Sequence, residues 1–369
     1  MEERKIRVAI AHGDTNGVGY ELIFKTFAEP EMLELCTPIV YGSPKVASYH
    51  RKALDMEASF SIINRAEDAQ DGRVNLLACF EDDVKVELGQ PTQESGQAAL
   101  MALDRAMTDF RQGLFDVLVA APADDSNIVV GGMPFAGLAN YLETCLGEDR
   151  KALALYLSSQ LRMAVAADGV AMKNVSESLS SEAMEKSLNA LLTALRRDLR
   201  IYNPRVALLT LNADGKGSEE ENVLNPVVKQ MSEKQLGVYG PYPAADFFGS
   251  SLYEAFDAYM ALYHDQGFVP LKTLSPDEPY VLYSGLDFIC TSVYGGPQFA
   301  VAGQGKADVQ AFRNAIYTAI DAYRNRISYD EPLANPLPKL FHEKRDDSEK
   351  VRFSIPKKKS EQPKEKESE

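Results

Sequence analysis

The sequence is short of several residue types, and each shortage excludes a class of protein. Its 369 residues include no tryptophan, four histidines and four cysteines, and 39 lysines and arginines stand against 54 acidic residues. The net charge of −15 argues against a nucleic-acid partner, because phosphate backbones are bound by clustered cationic side chains. A small anionic ligand is not excluded, since it needs only a few local donors.

Cysteines and apolar runs are also sparse. Cys36, Cys79, Cys145 and Cys290 are scattered, without the CxxC or Cys/His spacing of a zinc site. They are typical of reduced, mostly buried thiols in a cytoplasmic protein. No apolar run approaches the roughly 20 residues that span a bilayer, and the N-terminus lacks the apolar segment of a signal peptide. We therefore predict a cytoplasmic protein with no membrane partner.

Strand-like and helix-like patterns alternate along the chain. Short apolar runs predict buried parallel strands at residues 6–11, 38–42, 116–122, 206–211 and 258–262. Apolar residues at helical spacing predict helices from about residue 20 and over residues 98–111, 180–200 and 312–323. Strands separated by helices imply right-handed βαβ units, and hence an α/β fold with a mainly parallel sheet.

The segment YHDQG at residues 263–267 is the most informative for function. It follows a predicted strand and joins His264 and Asp265, with Lys272 shortly after them. Ligand crevices of open α/β sheets lie at such strand ends. His264 is either a metal ligand or a satisfied structural histidine. Lys272 is either a phosphate-binding cation or a surface lysine.

Other strand-end loops carry weaker signals. The turn at residues 13–19 (GDTNGVG) offers backbone N–H groups to an anion. It matches no dinucleotide or Walker fingerprint, so a tight structural turn is favoured. The loop at residues 120–125 (AAPADD) pairs two carboxylates, and residues 211–217 (LNADGKG) offer Asn212 and Asp214. Solvated loops are the favoured interpretation of both, and residues 167–169 form a third such loop.

Taken in order, these loops resemble the 4-hydroxythreonine-4-phosphate dehydrogenase (PdxA-like) family of pyridoxal phosphate biosynthesis, from about residue 6 to residue 326. The landmarks are residues 13–19, residues 263–267 with Lys272, residues 285–286, residues 291–292 and residues 302–307. The resemblance implies an isocitrate/isopropylmalate-dehydrogenase-like fold, a homodimer with interfacial active sites, and a small phosphorylated metabolite as substrate. It also implies NAD as hydride acceptor and a divalent metal (Zn, Mg, Mn or Co) held by three histidines.

The implied domain division places residues 1–125 with 290–328 in a first α/β domain. Residues 126–289 form a second α/β domain with the dimer interface, and an interdomain cleft separates the two. Residues 329–369 are rich in Pro, Lys, Glu and Ser and have few aliphatic residues, which predicts a disordered charged tail. The basic run at residues 357–359 is either solvated or a docking segment, and solvation is favoured.

The sequence departs from the family pattern at functional positions. Two of the three metal histidines fall on Gly169 and Asp214, and only His264 is retained. The substrate motif Gly-His-Thr-Glu reads Gly-Leu-Ala-Asn at residues 137–140, and an expected lysine falls near Asp125. Further replaced positions are Val281 for the substrate asparagine, Cys290 for the substrate arginine, and residues 295–297 (GGP) for a His-Gly-Thr segment.

Two functional hypotheses remain open. In the first, an NAD-dependent oxidoreductase is retained or retuned, with Lys272 and Asp265 as catalytic residues and Lys272 and Asn212 binding substrate. Its metal is then held by Asp214 and Asp168 with His264 of the partner subunit, an oxygen-rich set suited to Mg²⁺ or Mn²⁺. In the second, an inactive dimeric paralogue serves as a metabolite-binding or protein-interaction scaffold.

Overall fold

The computed structural model describes residues 4–80, 84–147, 151–276 and 279–335. Strands and helices alternate within these ranges, as the apolar periodicity predicts. The strands are β1 Arg7–Ala11, β2 Thr37–Gly42, β3 Ser61–Ile63, β4 Asn75–Ala78, β5 Val117–Ala120, β6 Val129–Val130, β7 Met133–Pro134, β8 Leu153–Leu157, β9 Arg162–Val165, β10 Val206–Leu209, β11 Val238–Tyr242, β12 Ala258–Ala261, β13 Tyr280–Ser284 and β14 Cys290–Val293. The helices are α1 Gly19–Phe27, α2 Pro30–Leu35, α3 Pro44–Ala53, α4 Gln93–Arg111, α5 Leu138–Leu146, α6 Val175–Ser178, α7 Ser181–Thr193, α8 Asn225–Glu233, α9 Ala244–Gly249, α10 His264–Leu274 and α11 Gln310–Ala334.

In the described part of the chain, twelve strands form one sheet in the order β11-β10-β12-β9-β8-β13-β14-β5-β1-β2-β4-β3. β6 and β7 form a separate hairpin. Neighbours in the large sheet are parallel except at β8–β9, β8–β13 and β13–β14. The predicted α/β class with a mainly parallel sheet is confirmed.

The three antiparallel pairings reverse the strand direction between the two halves of the sheet. The carboxyl ends of β1, β5 and β14 therefore lie at one end of the sheet, which we call the upper end. The carboxyl ends of β9, β10 and β12 lie at the opposite, lower end. The strand-end loops that the sequence analysis singled out are consequently divided between these two ends.

The buried core covers both faces of the sheet. Strands β1, β5, β10 and β12 consist of near-continuous apolar residues, since helices pack on each side of them. No helix among the described residues is both long enough and apolar enough to cross a membrane.

Residues 1–330 form one compact unit, and residues 331–369 form another. The sheet is continuous across the first unit, so its division into residues 1–125 with 290–328 and residues 126–289 stays a proposal. Helix α11 continues to Ala334, into the segment predicted as a disordered tail, because its helical pattern does not end at the compositional change. The rest of that tail, with residues 357–359, lies outside the described residues.

Candidate ligand-binding cleft

The glycine-rich turn after β1 is buried and structural. Asp14, Thr15 and Asn16 are fully shielded from solvent. Four of its backbone N–H groups are bonded inside the protein, which supports the favoured interpretation as a tight turn. The pairs are Asp14 N to Pro122 O (2.9 Å), Asn16 N to Asp14 Oδ1 (2.8 Å), Gly17 N to Asp14 O (3.1 Å) and Val18 N to Pro297 O (3.0 Å).

Side chains of this turn fix the loops around it. The Asp14 carboxylate accepts hydrogen bonds from Ser95 Oγ at 3.0 Å and from Asn127 Nδ2 at 2.8 Å. Burial raises the pKa of this carboxyl group. Asn16 Nδ2 donates to Thr92 Oγ1 at 3.1 Å, at the N-terminus of α4. The turn therefore joins β1, α4 and the loop after β5 into one rigid wall.

A cavity of about 360 Å³, here called the cleft, opens at the upper end of the sheet beside this wall. The ends of β1, β5 and β14 contribute to its lining. Several of the positions that the family resemblance marks as functional converge there. These positions are Asp125, Leu138, Val281 and residues 295–297.

The chemistry of the cleft is aromatic and acidic. Among the described residues that line it, the only charged side chains are Asp124 and Asp125. Asp124 Oδ1 accepts hydrogen bonds from the backbone N and the Oγ of Ser126, at 2.9 and 2.6 Å. Burial, followed by the charge of Asp124, raises the pKa of Asp125. The cleft thus disfavours additional negative charge.

Cys290, at the predicted arginine position, does not reach the cleft. It is fully buried in β14, and desolvation raises the pKa of its thiol far above the ordinary value. A neutral core thiol offers no bidentate contact to a phosphate group.

A second cavity of about 940 Å³ adjoins the cleft and shares Asp125, Tyr156 and Tyr283 with it. It is also lined by Lys151 and Lys186. Each lysine is paired with a carboxylate: Lys151 Nζ with Glu143 Oε2 at 3.1 Å, and Lys186 Nζ with Glu182 Oε1 at 2.7 Å. This larger space is therefore not strongly cationic.

The YHDQG segment begins α10 at the lower end of the sheet. His264 Nδ1 lies 2.8 Å from Asp265 Oδ1, and the two side chains are 57% and 75% exposed. The His264 ring stacks on Phe268 at a centroid distance of 4.2 Å. Lys272 Nζ lies 5.1 Å from the centre of the Tyr294 ring and donates to Pro276 O at 3.0 Å. Lys272 therefore does not line the cleft.

The remaining predicted site residues have local partners. Asp168 Oδ2 accepts a hydrogen bond from Tyr156 Oη at 2.7 Å. Burial, and then the charge of Asp168, raise the pKa of Tyr156. Asn212 Nδ2 donates to Glu220 Oε2 at 2.7 Å. Asp214 Oδ1 accepts from the backbone N of Lys216 at 3.1 Å, within its own loop.

The loops after β9, β10 and β12 adjoin one another at the lower end. Ala167 N donates to Leu262 O at 3.1 Å, and Gln266 Nε2 donates to Thr210 O at 2.7 Å. Even so, the described residues contain no group of three or more His, Cys, Asp or Glu side chains suited to a metal ion. Gly169 supplies no ligand and has a φ of +70°, a backbone conformation that favours glycine.

Within one chain, the described residues therefore do not fit a metal held by three histidines. One imidazole whose Nδ1 faces Asp265 is not a zinc site, which takes three or four protein ligands. The glycine-rich turn likewise directs four of its backbone N–H groups into bonds within the protein, which leaves fewer of them for the pyrophosphate of NAD.

Sequence reasoning missed Glu220, which is fully buried and holds the loop after β10. Its Oε1 accepts hydrogen bonds from Leu211 N at 2.8 Å and from Asn212 N at 2.9 Å. It also missed the tyrosines of the cleft, Tyr156, Tyr283 and Tyr294. No local pattern marks them, since each alternates within or just after a strand as an ordinary core aromatic does.

Comparison with known proteins gives a consistent result. Residues 34–319 match the family described as pyridoxal phosphate biosynthetic protein PdxA. The chain is 44% identical over 358 residues to a 4-hydroxythreonine-4-phosphate dehydrogenase of Bacteroides thetaiotaomicron, covering 96% of this chain and 98% of the relative. A relative of the same name from Prosthecochloris aestuarii is 31% identical over 331 residues, covering 85% and 96%.

The fold is shared as well. A solved structure of a putative 4-hydroxythreonine-4-phosphate dehydrogenase from Salmonella typhimurium superposes with a TM-score of 0.73 at 25% identity. The similarity covers 87% of this chain and 100% of that structure. The predicted family resemblance is confirmed, and this chain belongs to the PdxA family.

Proposed function

We propose that this PdxA-family member binds a small metabolite in the cleft and has lost the oxidation of 4-hydroxythreonine-4-phosphate for which its relatives are named. One observation carries the proposal. Several of the positions that the family resemblance marks as functional line a cavity whose only charged side chains, among the described residues, are Asp124 and Asp125.

Electrostatics explains why such a cleft disfavours the family substrate. Two like charges about 4 Å apart repel by roughly 4 kcal/mol at the effective dielectric constant of 20 typical near protein surfaces. A phosphate dianion entering the cleft meets Asp124 and Asp125 and no lining cation. Lys272, the cationic candidate that the family resemblance carries over, contacts the Tyr294 ring and donates to Pro276 O instead.

Of the two roles predicted for an inactive paralogue, metabolite binding is favoured because a preformed cavity is present. We include the homodimer implied by the family resemblance in the proposal. We also propose that the protein works in the cytoplasm, which the four free thiols support.

The retained dehydrogenase is the second candidate. Identity of 44% over nearly the full length of both chains favours it. In this candidate Lys272 and Asp265 are catalytic, Lys272 and Asn212 bind substrate, and Asp168 and Asp214 hold the metal with His264 of the partner subunit. NAD and a divalent metal are then required for pyridoxal phosphate biosynthesis.

Metal titration separates the two candidates. We expect Asp214→Ala and His264→Ala to bind Zn²⁺ and Mn²⁺ as the native chain does in calorimetry, because neither residue belongs to a three-ligand group. Asp246→Ala, which removes an exposed carboxylate in α9, is the matched control. A loss of metal affinity of about tenfold or more in Asp214→Ala alone would favour the dehydrogenase. Changes of that size are seen when metal sites are perturbed.

A further inference from the structure

We propose that the cleft selects a small organic cation, an amine with an apolar body, through Asp124, Asp125 and the aromatic rings of its wall. This inference rests on the proposed binding function and specifies the chemistry of the ligand. It reverses the charge preference expected for a site that takes a phosphorylated substrate.

One wall of the cleft is aromatic. Its rings are those of Phe135, Tyr156, Tyr283 and Tyr294. Tyr156 meets Tyr294 edge to face, with ring centroids 5.6 Å apart and planes at 86°. Aromatic faces carry negative electrostatic potential and attract ammonium groups, and aromatic cages that bind amines use this arrangement. The wall therefore suits a cation better than a neutral or anionic group.

Tyr294 already contacts a cation within the molecule. The Lys272 ammonium lies 5.1 Å from the centre of its ring. Lys272 does not line the cleft, so its ammonium group supplies no positive charge inside it. The rings of Tyr156 and Tyr294 each also contact Phe268, with centroids 4.6 and 4.8 Å apart, so the wall is a packed aromatic surface.

The cleft also holds a pair of adjacent carboxylates, Asp124 and Asp125. One oxygen of Asp124 is engaged by Ser126, and the described residues give the Asp125 carboxylate no hydrogen-bond partner. Two adjacent carboxylates without a counter-charge repel each other, and burial, followed by the charge of Asp124, raises the pKa of Asp125. A bound ammonium group relieves that repulsion and satisfies the free oxygens.

The lining of the cleft combines apolar side chains with hydroxyl groups. Ile128, Leu138 and Val281 give the cleft an aliphatic side, which suits a hydrocarbon body on the ligand. Tyr283 Oη and Ser292 Oγ, 3.2 Å apart, supply hydroxyl groups near the ends of β13 and β14. A cavity of about 360 Å³ is the size of a small-molecule site.

Calorimetry with three ligands of one shape tests the inference on the full-length chain. The probes are benzylamine, benzyl alcohol and phenyl phosphate, which differ in charge around the same ring. We expect benzylamine to bind about tenfold or more tightly than either of the others, a ratio that corresponds to about 1.4 kcal/mol. Asp125→Asn should abolish that preference, and Asp246→Asn should leave it intact.

Equal binding of the three probes, or a preference that survives Asp125→Asn, would overturn the inference. Tighter binding of phenyl phosphate would also overturn it. Thermal unfolding of each variant checks folding, and Asp125→Asn preserves the shape of an exposed side chain. If benzylamine does not bind and no NAD-dependent turnover is measured, only the inference of an amine ligand is rejected. Turnover of 4-hydroxythreonine-4-phosphate would instead reject the proposed function.

Discussion

Replacing Arg326 with methionine should lower the free energy of unfolding by about 3–5 kcal/mol, the usual cost of leaving a buried charge without its partner. Arg326 of α11 is 8% exposed and Asp198, just after α7, is 3% exposed. The guanidinium donates to both carboxylate oxygens, at 2.6 and 3.1 Å, and to Leu286 O at 3.0 Å. Without the guanidinium, the Asp198 carboxylate stays buried in the core without its charged partner.

The neighbouring pair of Arg197 and Asp330 is the matched control. Its geometry is also bidentate, but the two side chains are 26% and 47% exposed. Arg197→Met should therefore cost no more than about 1 kcal/mol, as exposed ion pairs do. Urea unfolding curves measure both values. Equal losses for Arg326→Met and Arg197→Met would show that the buried pair does not anchor α11.

Lowering the pH from about 6.5 to about 4 should remove about 3 kcal/mol of stability through His12 alone, at 1.36 kcal/mol for each pH unit. His12 is fully buried, and neither ring nitrogen has a hydrogen-bond partner among the described residues. Burial, followed by the charge of His50, lowers its pKa from 6.5 to about 4. The ring stacks on Tyr20, with centroids 5.3 Å apart.

The sign follows from the protons bound in each state. Between about pH 4 and 6.5 the unfolded chain protonates His12 and the folded chain does not, so stability falls as the pH falls. His50, whose pKa burial also lowers, adds in the same direction. Below about pH 4 both states bind the proton and the His12 contribution stops changing.

Urea unfolding at several pH values measures this dependence. His12→Gln should flatten it, whatever the stability of the variant at pH 7, because glutamine does not titrate. His264→Gln, which makes the same substitution at a side chain that is 57% exposed, is the matched control. An unaltered slope in His12→Gln would mean that other groups cause the acid sensitivity.

The sequence predicts the regular elements well where the apolar pattern is long. Strands β1, β2, β5, β10 and β12 and helices α4, α7 and α11 occur where predicted, with shifted ends. The antiparallel segment β8, β9, β13 and β14 is not predicted. Strand direction depends on partners distant in sequence, such as Leu157 with Tyr280, and periodicity carries no information about that pairing.

The candidate site is predicted in part. The departures from the family motifs are visible in the sequence, including Asp125, Val281 and Gly169. Their convergence is not visible, because Leu138 of α5 and Val281 of β13 meet only through the sheet order. Nor does sequence show that Asn212 is bound to Glu220, or that Lys272 is held by Tyr294.

NAD reduction by the purified native chain with 4-hydroxythreonine-4-phosphate, in Zn²⁺, Mg²⁺, Mn²⁺ and Co²⁺, tests the central claim most directly. The acidic cleft, and the lack of a three-ligand metal group among the described residues, predict no turnover above the background without protein. A kcat within the ordinary enzyme range of about 1 to 1,000 per second would contradict the account. That result would assign the metal to ligands including Asp214.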